Sequence, residues 1–188
     1  MYNGYPEVII VEGEEYEVNT DFRVWCEIDE LLFGAKLTDE RCAHILGLCY
    51  RKKLPANPEA AFLKACEFYN LNRYEKKRRK KTESKKRIIS FVHDEQYITA
   101  AFLSEYNIDL NCVQMHWFRF RTLFDGLSDE QKISEILKAR AVDISKIKDK
   151  QLKAYYKKMK RDYKLPDGRT PEEKEADMVD VLSRVIGV

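Results

Sequence analysis

Apolar residues in this chain recur three and four positions apart, inside blocks that begin on helix-capping residues. The 3.6-residue period gathers the apolar groups on one helix face. The cap supplies an acceptor for a first-turn N–H that has no partner within the helix. Val24, Trp25, Ile28, Leu31 and Leu32 make one such stripe, in a helix predicted from Thr20 to about Phe33 and ended by Gly34. Thr38-Asp39-Glu40 opens a second helix with Cys42, Ile45, Leu46 and Cys49 inward, and its interior Gly47 suggests a close approach. Asn57-Pro58-Glu59 opens a third: a cap, a proline at the first helical position, then an acid at the positive end of the dipole. Phe62, Leu63, Cys66 and Tyr69 are its expected buried face.

The pattern restarts near Phe91. Ile98, Ala101, Phe102 and Tyr106 line one helix, and Asn107 follows as a residue that tolerates the left-handed C-terminal position. A helix is predicted over Asn111 to Phe124, and Ser128-Asp129-Glu130-Gln131 reads as a capping box for the next. Asp149 caps a long helix with Leu152, Tyr155, Tyr156, Met159 and Tyr163 on one face and lysines on the other; the tyrosine-rich face points to core packing. Thr170-Pro171-Glu172-Glu173 opens a terminal helix ending at Gly187. Ahead of all these, Glu7 to Val11 and Glu15 to Val18 form a hairpin turned at Gly13. Two strands alone are marginal, so the hairpin must lean on helices. The predicted class is mainly α, a helical bundle with a short N-terminal β-hairpin; 7 Gly and 5 Pro are too few for an all-β chain with many tight turns.

Charge divides the chain more sharply than its net +2 suggests. Lys76 to Arg87 carries nine Lys/Arg against one Glu, and Lys150 to Lys164 seven against one Asp. Met1 to Asn72 holds seven basic and thirteen acidic residues. The expected organisation is a hairpin and three-helix unit over 1–72, a basic linker over 73–87, a helical unit over 88–165, and a turn with a terminal helix over 166–188. Lys76, Lys77, Arg78, Arg79, Lys80 and Lys81 suit an acidic protein surface or, as the alternative reading, nucleic acid. Nucleic acid is not the expected partner, because only Tyr74 stands near the run and no base-reading motif accompanies it. The five cysteines are odd in number and lack a C-x-x-C pair, which fits reduced thiols in a cytoplasm. No secretory signal is read at the N-terminus, and no run approaches the ~20 apolar residues of a membrane span.

The densest cluster of binding-type residues is Met115-His116-Trp117-Phe118-Arg119-Phe120-Arg121. On a helix, Val113, Trp117, Phe120 and Phe124 share an arc, while Met115 and Phe118 point roughly opposite. A helix with two apolar sides is central in a bundle, or packs on the fold with one side and on a partner with the other. Arg119 and Arg121 flank the main arc, placed for an internal ion pair or a partner contact. The candidate partner-binding residues are therefore Met115, Phe118, Arg119 and Arg121, with Lys146, Lys148, Tyr155 and Tyr156 from the basic helix and its approach. Catalysis finds no comparable support. Ser145-Lys146-Ile147-Lys148 matches S-x-x-K without its partner motifs, and His44, His93 and His116 lack metal-ligand spacing. Asp94-Glu95 and Glu172-Glu173 read as first-turn dipole complements. No catalytic residue, metal or cofactor is expected.

Three stretches carry a family resemblance. They are Phe91-Val-His-Asp94-Glu-Gln-Tyr97-Ile-Thr-Ala-Ala-Phe102 with Tyr106-Asn-Ile-Asp109-Leu110; His116-Trp-Phe-Arg-Phe-Arg-Thr-Leu123; and Lys132-Ile-Ser-Glu135-Ile136 with Asp143-Ile-Ser-Lys146-Ile-Lys148-Asp149. Together with Gly13-Glu-Glu-Tyr16-Glu-Val-Asn-Thr20-Asp21-Phe22-Arg23, the chain resembles the bacteriophage gene-product-fifteen family of siphophages and prophages over about residues 7 to 165. That family usually has Gly where Asn107 stands here, and the basic linker varies among its members. The resemblance implies a gene placed between those of the major tail protein and the tape-measure protein. It further implies a non-enzymatic tail-assembly chaperone of the host cytoplasm, which coats the tape-measure protein and recruits tail-tube subunits made of the major tail protein; self-association is left open by the sequence.

Overall fold

Val8–Val11 (β1) and Glu14–Glu17 (β2) pair antiparallel in the register Val8↔Glu17, Ile9↔Tyr16, Ile10↔Glu15, Val11↔Glu14. Glu12 and Gly13 both take positive φ (51° and 91°), as a two-residue turn between twisted strands requires. The computed structural model describes residues 4–33, 37–71 and 87–166. Seven α-helices follow the hairpin among these: α1 Phe22–Phe33, α2 Asp39–Cys49, α3 Pro58–Tyr69, α4 Glu95–Tyr106, α5 Trp117–Asp125, α6 Lys132–Ala141 and α7 Lys150–Asp162. A 3-10 turn, Ile144–Lys146, precedes α7. The predicted mainly α class with an N-terminal hairpin is what the chain adopts.

The elements pack in series. β1 lies on α3, α3 on α2, α2 on α1, α1 on α5, α5 on α4, α4 on α6 and α6 on α7. The hairpin gains its support as expected: Val18 N–H closes it by donating to Glu7 O (3.0 Å), while Asn19 N–H donates to Cys49 O (2.7 Å) and Arg51 N–H to Glu17 O (3.1 Å), tying the end of β2 to the end of α2. Ile9, Val11, Tyr16 and Val18 are buried beneath it.

An aromatic core joins the two halves of the chain. Trp25 stacks on Phe68 with ring centroids 4.9 Å apart, Phe22 on Phe120 at 4.7 Å and Phe102 on Phe120 at 5.3 Å. Both indoles are fully buried, and each N–H has an acceptor: Asn19 O at 2.6 Å for Trp25 and Tyr69 O at 3.0 Å for Trp117. A buried indole without such a partner would lose about 1–3 kcal/mol.

Three of the caps stand where the sequence places them. Thr38 accepts from Arg41 N–H, Asn57 from Ala60 N–H and Asp149 from Leu152 N–H. Asn107 ends α4 at φ 54°, ψ 37°.

Other expectations are corrected by bonds from distant elements. The helix predicted from Asn111 begins only at Trp117, because Phe22 N–H donates to Met115 O (3.0 Å) and Trp117 N–H to Thr20 O (2.7 Å). Asp21, not Thr20, caps α1, its Oδ1 accepting from Arg23 N–H at 2.9 Å. The Ser128–Gln131 capping box does not form. Ser128 N–H and the Gln131 amide both donate to the Glu105 carboxylate, and α6 starts at Lys132. In α3 the buried face is Ala61, Ala65, Phe68 and Tyr69, with Phe62 and Cys66 half-buried and Leu63 exposed. Gly47 faces open space, since a Cβ there would meet no neighbour within 4 Å. The tyrosine-rich face of α7 is not core: Met159 is the only buried residue of that helix. Gly34, the Thr170 capping box and the terminal helix to Gly187 lie outside the described residues.

Candidate partner-binding surfaces

The aromatic-arginine block is largely consumed by the fold. Met115 is buried at 5% exposure, which corrects its assignment to partner contact. Phe118 is half-buried, tilted on Phe68 at 4.7 Å and edge-on to Tyr5 at 6.5 Å. Arg121 lies over the rings of Trp117, Phe91 and Tyr69 at 5.3, 5.5 and 5.9 Å, and reaches Asp125 at 3.9 Å. It is a cation–π cover on the core, the internal alternative left open by the sequence. Arg119 is exposed.

His116, which lacks metal-ligand spacing in the sequence, fixes the start of α5. Its Nδ1 accepts from Phe118 N–H at 3.0 Å, so Nε2 carries the proton and donates to Pro6 O at 2.9 Å. Burial pulls its pKa down, with the Pro6 carbonyl opposing. The ring stacks on Tyr5 at 5.0 Å, so this one neutral imidazole joins the N-terminal segment to α5.

Lys146, Lys148 and Tyr155 are exposed and Tyr156 is half-buried; Lys146 closes the 3-10 turn, Lys148 lies between it and α7, and the two tyrosines are on α7. The Tyr155 hydroxyl donates to Glu135 of α6, and Tyr155 meets Tyr156 edge-on at 5.2 Å. The structure thus brings this group together and separates it from the Arg119–Arg121 helix. Lys76, Lys77, Arg78, Arg79, Lys80 and Lys81 lie outside the described residues. Arg87, the last of that run, is inside them. Its Nη2 donates to Asp29 (2.5 Å) and Glu30 (2.9 Å) and its Nη1 to Glu30 (3.1 Å), and Ser90 Oγ donates to Glu30 (2.7 Å). Burial pushes the Asp29 carboxyl up despite bonds from Tyr69 and Arg87. Burial also pushes Glu30 up, but Arg87 and Ser90 outweigh it and hold that carboxyl below its ordinary range.

The surface the sequence did not mark lies between α2 and α3. Cys42 and Leu46 of α2, Leu54 and Pro55 of the connector, and Phe62 and Leu63 of α3 line an apolar groove of about 590 Å³. Leu54 and Leu63 are each 54% exposed. Asp39 and Glu59, first-turn acids of the two helices, provide its charged lining. A scan for core positions misses it, because Leu63 has the spacing of a buried residue. The signal was the pair of alanines, Ala61 and Ala65, which lets α3 approach its neighbours on that side and turns Leu63 outward.

A smaller cavity of about 220 Å³ sits between α1 and α4, walled by Phe22, Cys26, Phe91, Ile98 and Phe120. The Arg23 beside it is committed elsewhere, donating to Leu110 O and Val113 O at 2.8 Å each. Among the described residues no group of His, Cys, Asp and Glu is arranged to hold a metal ion, and no helix is long and apolar enough to cross a membrane.

No curated protein and no solved structure matches the chain. A family model described as bacteriophage Gp15 protein matches residues 5–165, which takes in the hairpin, all seven helices and the α2–α3 groove. The chain belongs to the bacteriophage Gp15 protein family.

Proposed function

We propose that the protein acts by binding rather than by catalysis, as a tail-assembly chaperone that holds the phage tape-measure protein soluble in the host cytoplasm and helps recruit tail-tube subunits. The α2–α3 groove carries this reading. An amphipathic helix lays its apolar face into an apolar groove, and two leucines held half out of the surface supply anchors without a compensating intramolecular partner. The acids at the groove suit a client helix whose flanks carry Lys or Arg. A single groove of this size binds modestly. Many copies along one long client gain avidity and still release one at a time when tube subunits replace them.

The test is co-expression with the tape-measure protein of the same phage. The soluble fraction of the client and its copurification with this chain are measured for wild type and for Leu54→Asp/Leu63→Asp. Both leucines are exposed, so the variant retains its fold, which circular dichroism checks. The expected result is a soluble complex that the double variant loses. A client whose solubility does not change when this chain is present, or a complex indifferent to the two substitutions, overturns the reading.

A further inference from the structure

The two ends of the packing series carry opposite charge and matching apolar residues, and no other part of the described chain covers either. On the solvent side of the hairpin the register sets Val8 across from Glu17 and Ile10 across from Glu15. Val8 is 39% exposed and Ile10 57%, so aliphatic groups stand beside carboxylates on a sheet face that nothing packs against. Glu17 has one exposed partner, Lys52 at 2.5 Å, and Glu15 has no ion-pair partner among the described residues. At the other end, α7 contributes only Met159 to the interior and leaves Leu152 47% and Tyr155 43% exposed. Lys148 and Lys158 are exposed on the same segment, neither with an ion-pair partner among the described residues.

We infer that this chain associates head-to-tail with itself, the basic α7 face of one copy seating on the acidic outer face of the β1–β2 hairpin of the next. Charge complementarity selects a second copy as the occupant. The hairpin offers carboxylates flanking two aliphatic side chains, and α7 offers ammonium groups flanking a leucine and a tyrosine. The two faces belong to different elements at opposite ends of the packing series, so after pairing one copy keeps its hairpin free and the other its α7. Such a heterologous contact propagates into a ring or a filament rather than stopping at a dimer. Its apolar centre is small and its charges are exposed, so it is weak and salt-sensitive, and it steers copies into one polarity more than it binds them tightly.

Sedimentation velocity on the full chain tests this, over a concentration series at about 50 mM and 500 mM salt, on either side of the physiological screening length. Two charge-swapped proteins are made: E15K/E17K on the hairpin and K148E/K158E at α7, all exposed positions, with unchanged circular dichroism as the folding check. Wild type is expected to grow in mass with concentration at low salt and to lose that growth at high salt. Each swapped protein alone is expected to associate about tenfold more weakly, since two exposed attractions become repulsions. An equal mixture of the two restores growth, because every hairpin then finds an α7 of opposite charge. Wild type at monomer mass throughout, association that neither swap weakens, or a mixture that stays monomeric overturns the proposal. The last outcome would mean that the hairpin or α7 faces another partner, such as a client helix.

Discussion

Arg140 of α6 grips Asp94, the residue before α4, through two parallel hydrogen bonds, Nη1 to Oδ2 at 2.6 Å and Nη2 to Oδ1 at 2.8 Å, with both side chains buried. The same guanidinium donates to Ile88 O (3.0 Å) and Tyr163 O (2.7 Å), so one side chain binds the entry to α4, the body of α6 and the end of α7. Removing one partner strands a buried charge. Arg140→Met or Asp94→Asn is expected to lower stability by about 3–5 kcal/mol, whereas D94L/R140M restores much of the loss. Urea midpoints of the three proteins check this. A double variant as unstable as the weaker single one would show that the carbonyl contacts of Arg140, not the ion pair, organise this end of the fold.

The neutral state of His116 makes stability depend on pH near neutrality. Folding lowers its pKa from the ordinary 6.5 through burial, so the unfolded chain binds the extra proton more readily. The contribution is therefore complete above about pH 6.5 and is lost as pH falls through the folded-state value. Wild type is expected to lose stability between pH 7 and pH 5. His116→Asn keeps a capping acceptor without the titration and flattens the profile. Equal pH slopes for the two proteins would refute this.

Asn107 occupies the left-handed region at the end of α4, where its N–H donates to Leu103 O and Ile108 N–H closes onto Phe102 O. A Cβ without a local hydrogen-bonding group is strained there by roughly 1–2 kcal/mol. Thermal melts are expected to show Asn107→Ala destabilised by about 1 kcal/mol and Asn107→Gly at or slightly above wild type.

The five thiols differ in reactivity toward a disulfide reagent. Burial pushes Cys49 up to about 12 and raises Cys26 and Cys66, so their thiolates are scarce at pH 8. Cys112 is exposed, although its hydrogen bond to Asp109 (3.4 Å) also raises it. A first labelling phase is expected to belong to exposed Cys112 and to Cys42 in the α2–α3 groove and to vanish in the double substitution Cys42→Ser/Cys112→Ser, with Cys49 reacting only on unfolding. A fast phase that survives the substitution would contradict this ordering.

The amino-acid sequence by itself determined the helical class, the hairpin, the family, and the caps at Thr38, Asn57 and Asp149. Those features rest on local hydrogen bonds and on the 3.6-residue period, and both are written in consecutive residues. The tertiary structure alone decided where α5 begins, which face of α3 turns inward, and that the tyrosines of α7 overhang the core. Met115 O is taken by Phe22 N–H and Trp117 N–H by Thr20 O, bonds across more than ninety positions that no local pattern encodes. The same holds for the groove. Leu63 has the spacing of a core residue, and it faces solvent because Ala61 and Ala65 bring the other side of α3 against its neighbours. Periodicity names the residues that can share a face, but what packs against that face is set by distant parts of the chain.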